Sequence, residues 1–292
     1  MKKLIQRLLV FFIGVPLVIL VVLLPQKNHL AVNIIVVILS ALGALEFANM
    51  LKKKPPLSKD PPGCSLHPVE AVLLGIAGPA AMTLSVSFKA VAYIFPAVFI
   101  LGASWCLISN IFSPADRLDG TIRRVTAGFA VMFYPGVFIL WIIRMTLFPQ
   151  AEKVILLFLL TVFANDSVAW AAGMLFGKNN RGLIPASPNK SAAGFIGGLA
   201  AATLAGLAAV YFVPAAFDPV RFSRSVSGII IGLTAGIAAT LGDLAESAMK
   251  RSSDIKDSGT IIPGRGGALD TIDSIAMAAP VYYILYWVLF RV

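Results

Sequence analysis

The sequence predicts an all-α polytopic membrane bundle of about nine transmembrane helices with its N-terminus in the cytoplasm. Three observations predict it. The 292 residues are 58% hydrophobic and 13% charged, with a mean hydropathy of +0.87, a balance that belongs to membrane proteins rather than to soluble domains. Apolar stretches of roughly 20 residues, the length a bilayer core requires, recur along the whole chain. The basic residues gather in alternate connections between these stretches.

The expected spans run from Leu8 to Leu24, Leu30 to Met50, Val69 to Val86, Ala90 to Phe112, Val125 to Phe148, Lys153 to Phe176, Ala192 to Val213, Val226 to Met249 and Ala268 to Phe290. Only Ser87, Phe88 and Lys89 separate the third from the fourth. The connections are short and leave no room for a soluble domain, so residues 1–292 are expected to form one integral membrane domain. The first span opens with MKKLIQR in the manner of a signal peptide. No small-residue cleavage site follows at Pro25 to His29, and an uncleaved anchor is expected.

With the N-terminus inside, the cytoplasmic segments hold seventeen cations: Lys2, Lys3, Arg7; Lys52, Lys53, Lys54, Lys59; Arg117, Arg123, Arg124; Lys178, Arg181, Lys190; Lys250, Arg251, Lys256 and Arg265. The opposite side holds six: Lys27, Lys89, Lys153, Arg221, Arg224 and Arg291. This bias sets the orientation, and it places the net charge of +10 at a membrane surface rather than on a nucleic acid. The proline-rich basic segment from Leu51 to Pro68 reads as a linker that meets anionic headgroups. Cys64 and Cys106 form neither a disulfide framework nor a metal quartet, and His29 and His67 lie outside the polar clusters.

Polar residues interrupt the pattern in three places. Asn165 and Asp166 fall in the middle of the sixth span, where an ionisable group is costly unless it faces a polar cavity. Ser187, Lys190 and Ser191 precede the seventh span, whose N-terminus offers a partial positive charge to phosphate oxygens. The seventh and eighth spans then carry small residues, Gly197, Gly198, Ala202 and Gly206 and Gly228, Gly232 and Gly236, as close-packing helices do.

The third place is the stretch from Gly242 to Ser274. Asp243, Ser247 and Lys250 are spaced to share a helix face, with Arg251 beside them and Glu246 among them. Asp270 and Asp273 lie one turn apart on the returning helix. Between these acids run Lys250, Arg251, Lys256 and Arg265, then Gly264, Gly266 and Gly267, whose bare backbone lets amides approach a ligand. Carboxylates for a hard cation beside cations for oxyanions describe a phosphate–metal site. A loop that merely solvates helix ends has no need of acids at helical spacing on both flanks.

The run Ser247, Lys250, Arg251, Lys256, Asp257, Pro263, Gly266, Gly267, Asp270 and Asp273 resembles the signature of the phosphatidate cytidylyltransferases, over about 27 residues of fixed spacing. Two further segments are similar to the same family: Asp166, Trp170, Gly173 and Lys178, and the Ser187-Pro188-Asn189-Lys190-Ser191 run. Departures are Arg265 where the family has His, Thr271 where it has Arg, and Ala193 where it commonly has Glu. Arg265 cannot serve as a base near neutral pH, and no metal or base role passes to Ala193.

The resemblance implies transfer of CMP from CTP to phosphatidate, giving CDP-diacylglycerol and pyrophosphate. In that reading Asp243, Asp270, Asp273 and Asp166 hold Mg²⁺ and a second cation. Lys250, Arg251, Lys256 and Asp257 form the catalytic group. Ser187, Lys190, Ser191, Ser247, Arg265, Gly266 and Gly267 bind substrate. The catalytic segments, about 177–191 and 250–267, are expected on the cytoplasmic side of a bacterial inner membrane, the partners are CTP, phosphatidate and membrane lipid with no nucleic acid, and the family points to a homodimer. A CTP-dependent polyprenol or archaeal-lipid transferase is the neighbouring alternative. An ion-coupled transporter using Asp166 and Asp243 is the more distant one, since transporter sites lie near the midplane whereas most polar residues here lie at a helix edge.

Overall fold

The computed structural model describes residues 2–52, 66–88, 93–111, 114, 118, 120–262, 264 and 266–291, with side chains from 12 onward. Among them the chain is helical, with two isolated β-bridges, Arg181 to Ser191 and Ile262 to Gly266. The helices are α1 (Lys2–Val22), α2 (Gln26–Lys52), α3 (Pro68–Ser87), α4 (Ile94–Ile108), α5 (Thr121–Val131), α6 (Trp141–Met145), α7 (Ala151–Phe176), α8 (Ala192–Phe212), α9 (Arg224–Ser252) and α10 (Leu269–Phe290).

Among the described residues, seven helical stretches are long and apolar enough to cross a membrane: α2, α3, the run Thr121–Met145, and α7 to α10. Two shorter apolar stretches, Phe12–Val22 and Ile94–Ile108, stand where the first and fourth spans were expected. The protein is therefore an all-helical, polytopic membrane bundle.

Local chemistry explains the breaks. Pro68 opens α3 at a position whose N–H is not needed, and His67 before it is extended (φ −65°, ψ 141°). The chain enters α2 through a left-handed turn, with φ of 49°, 54° and 55° at Lys27, Asn28 and His29. Side-chain bonds hold that turn: Asn28 Nδ2 donates to Val86 O at 2.7 Å, and Asn33 Nδ2 donates to Asn28 O at 3.1 Å. The fifth expected span is not one continuous α-helix. Pro135, lacking an N–H, sits in a π-helical turn from Met132 to Val137, where Phe138 N donates to Phe133 O, and the chain recovers only as the short α6.

The chain forms two compact units, residues 1–143 with 250–272, and residues 144–249 with 273–292; α9 and α10 each contribute to both. In unit 1, α2 and α3 pack closely because Gly75 faces Ala44 and Ser40 Oγ donates to Gly75 O at 2.8 Å. Glu70 of α3 accepts from Trp105 Nε1 of α4 at 2.9 Å and from Arg124 Nη2 of α5 at 2.8 Å, tying three helices by one carboxylate.

In unit 2, small residues decide the packing. A Cβ on Gly206 of α8 would strike Gly228 O of α9, and one on Gly232 would strike Ala202 O. The two backbones approach each other as membrane helices with small-residue stripes do. Beyond them Phe148, Phe217, Tyr286 and Phe290 form an aromatic cluster, in which Tyr286 Oη donates to Ala216 O at 2.6 Å.

Candidate active site

In unit 2 polar residues of α7, of the segment leading into α8 and of α9 meet at one cavity of about 500 Å³, walled in part by Asp166, Trp170, Arg181, Lys190, Thr240 and Asp243. Lys190 Nζ forms an ion pair with Asp243 Oδ2 at 2.5 Å, and Ser247 Oγ donates to Asp243 Oδ1 at 3.4 Å. Asp166 lies near Lys190 and Asp243 and hydrogen-bonds to Ser274. Asn165 Nδ2 steadies it at 3.0 Å and also reaches Thr240 Oγ1 at 3.3 Å. Glu246, fully buried, shares a hydrogen bond with the buried Asp273, which also feels the charge of Asp243.

Asp166 and Asp243 thus lie by Lys190, while the buried Glu246 and Asp273 pair with each other and Asp273 feels Asp243. In a low-dielectric interior such a group needs protons or further positive charge. Among the described residues no three acidic, His or Cys side chains enclose an ion by themselves. Mg²⁺ seldom asks for that: it takes one or two carboxylates, several waters and the phosphates of a substrate. Asp243 and Asp166, which line the cavity, offer oxygen donors of this kind.

Ser191 lines the same cavity, yet its Oγ is the N-cap of α8 and accepts Gly194 N–H at 3.1 Å. That bond uses an oxygen lone pair and leaves the hydroxyl proton able to donate to a phosphate oxygen. Ser187 shapes the preceding turn, its carbonyl accepting from Lys190 N at 3.1 Å, and stands outside the cavity wall.

Unit 1 holds the second cluster. Lys250 Nζ pairs with Asp270 Oδ1 at 2.6 Å, the two side chains only 12% and 7% exposed. Asp270 Oδ2 accepts from Gly267 N at 2.8 Å and from Ser258 N and Oγ at 2.9 Å each. Gly266 has φ of 112° and lies against the Asp270 carboxylate, where a Cβ would collide at 2.5 Å. Its amide donates to Ile262 O at 3.1 Å. The amides of Gly266 and Gly267, expected to face a ligand, instead hold the loop and Asp270. Arg251 lies exposed in the last turn of α9, and Lys256 and Asp257 are exposed on the following loop. Arg265 lies outside the described residues.

The four acids expected to share a cation fall as follows. Asp166, Asp243 and Asp273 belong to unit 2, and Asp270 to unit 1 with Lys250 as its partner. One helical turn between Asp270 and Asp273 turns their carboxylates toward different neighbours. Glu246 was visible in sequence as a helix-edge acid without a role, and its burial against Asp273 supplies one. Arg181, Thr240 and Ser258 carry no local signal that distinguishes them from ordinary polar residues. Glu46 does: it is an ionisable residue inside an apolar span, the same criterion that singles out Asp166.

A family model described as the cytidylyltransferase family matches residues 5–289. Among curated relatives, a phosphatidate cytidylyltransferase of Haemophilus influenzae is 39% identical over 160 residues, 54% of this chain and 54% of the relative. One of Synechocystis is 35% identical over 136 residues, 47% and 44% of the two chains. One of Staphylococcus aureus is 41% identical over 129 residues, 43% and 46%. The aligned part of the chain spans about half the length of the curated relatives it matches.

Proposed function

This chain belongs to the cytidylyltransferase family, and we propose that it transfers CMP from CTP to phosphatidate. A phosphate oxygen of phosphatidate attacks the α-phosphorus of CTP, the bond from that phosphorus to the α,β-bridging oxygen breaks, and pyrophosphate leaves with the electron pair. The nucleophile is already ionised near neutral pH, so no general base is required. This agrees with the two histidines lying away from both clusters.

The observation that carries the reading is the polar cavity of unit 2, where Lys190 and Asp243 pair beside buried Glu246 and Asp273 within a lipid-facing bundle. Lys190 and Arg181 attract phosphate oxygens, and Trp170, 65% exposed on α7, gives the same wall an apolar face for an acyl chain. Mg²⁺, with a second cation where the carboxylate charge allows, would be held by Asp243 and Asp166 with Asp273 nearby and would neutralise the departing pyrophosphate. In unit 1, Lys250 is oriented by Asp270; the family resemblance assigns Lys250, Arg251 and Lys256 to phosphoryl oxygens. The distribution of basic residues supports an active site facing the cytoplasm across a bacterial inner membrane. A homodimer, carried over from the family resemblance, is part of the proposal.

The test is conversion of labelled CTP into a lipid-soluble product by purified protein in detergent, with phosphatidate and Mg²⁺ each present or omitted. Product that requires both is expected. No product from folded protein would overturn the reading, and product only with a polyprenyl phosphate would move it to the neighbouring lipid transferase.

A further inference from the structure

Glu46 sits near the end of α2, 5% exposed, more than two hundred residues from the loop that its carboxylate touches. Oε1 accepts from Ala268 N at 3.0 Å, and Oε2 accepts from Leu269 N at 2.8 Å. These are the opening amides of α10, so the carboxylate caps that helix from another element. Oε2 also lies 3.1 Å from Ser258 Oγ, which is 2.9 Å from Asp270 Oδ2. A Cβ on Gly259 or on Gly267 would collide with the Glu46 carboxylate, so two loop glycines leave the space it occupies.

It grips a loop in which the described residues between 253 and 268 form one β-bridge, Ile262 to Gly266. This loop and the first turn of α10 carry Lys256, Asp257 and Asp270, and Asp270 in turn orients Lys250. We propose that Glu46 is a positioning residue: through the α10 amides and Ser258 it holds Asp270, and hence Lys250, in the arrangement that receives the nucleotide phosphates. The proposal rests on the transferase reading for what Lys250 receives, though not for the anchoring itself.

Chemistry makes Glu46→Gln a sharp test. Both carboxylate oxygens accept backbone N–H groups, so either orientation of the glutamine amide turns an N–H₂ toward a donor at Ala268 or Leu269. The variant keeps the size of the side chain and loses the grip. Hydrogen–deuterium exchange on the full protein in detergent should show the amides around 258 and 267–270 exchanging at least tenfold faster, with the aromatic cluster of Phe148, Phe217 and Tyr286 unchanged. In turnover assays the KM for CTP should rise about tenfold while the KM for phosphatidate stays within twofold. A merely structural role would lower the fraction of folded enzyme and leave both KM values alone.

A double-mutant cycle with Ser258→Ala should be non-additive, because both act through Asp270. Should Glu46→Gln not be recovered as folded protein, Ser258→Ala, which removes the hydroxyl between the two carboxylates and leaves the α10 cap intact, carries the test through the KM for CTP and through exchange at 270, whose amide meets that hydroxyl. Unchanged exchange at 267–270, or accelerated exchange with unchanged KM for CTP, would overturn the proposal. Accelerated exchange in a protein whose wild type makes no CDP-lipid would keep the anchor and overturn the transferase reading instead.

Discussion

At the scale of single residues, the two ion pairs differ in burial, and burial sets what each mutation reports. Lys190 and Asp243 are 25% and 35% exposed, so breaking them costs little stability. Asp243→Asn should leave the melting temperature within a few degrees while turnover falls by roughly 10²-fold or more, the scale of losing a charge aimed at a transition state; a steady-state assay beside a thermal melt checks both. Lys250 and Asp270 are nearly enclosed. Asp270→Asn removes the carboxylate that pairs with a nearly enclosed ammonium and should destabilise the protein by about 3 kcal/mol. Adding Lys250→Met should restore the melting temperature without restoring turnover, which separates the structural from the chemical contribution of the pair.

At the scale of elements, the helices owe their contacts to small residues and their ends to caps. Gly232→Leu should force α8 and α9 apart and lower stability by about 1–3 kcal/mol or more, as overpacking does. Gly14, with nothing within 4 Å of its absent Cβ, is the control: Gly14→Ala should be neutral or slightly stabilising on the same melt. Ser191→Ala removes the α8 cap and should cost about 1 kcal/mol, typical of a lost N-cap hydroxyl. Most helix positions were legible because hydrophobic length is a local property. The π-helical turn at Pro135 and the left-handed entry to α2 were not, since each depends on bonds to a neighbouring turn or helix that apolar periodicity does not record.

At the scale of the whole molecule, the basic residues predict which connections share a compartment. A cysteine introduced at Ser252 should react with an impermeant reagent only from the cytoplasmic side of inverted and right-side-out vesicles, and one at Asp218 only from the opposite side. Labelling of both from one side would overturn the orientation. Chelation of divalent metal should abolish turnover and Mg²⁺ should restore it, with the melting temperature as the second readout, since a cation bound to the native state raises it.

The sequence by itself determined the class of molecule, the places where polar groups break the apolar pattern, and the family resemblance carried by the stretch from Ser247 to Asp273. Each of these depends on residues close together in the chain. Tertiary structure alone decided the pairing: Lys190 takes Asp243, Lys250 takes Asp270, Glu246 is buried against Asp273, and Glu46 reaches the opening amides of α10. The Gly266 and Gly267 amides bond to the loop and to Asp270, and Ser191 caps α8 through its oxygen. Spacing along a helix says which side chains share a face. Which partner that face meets is set by how helices pack, and among like charges in a low-dielectric interior the nearest cation or amide decides where each carboxylate turns.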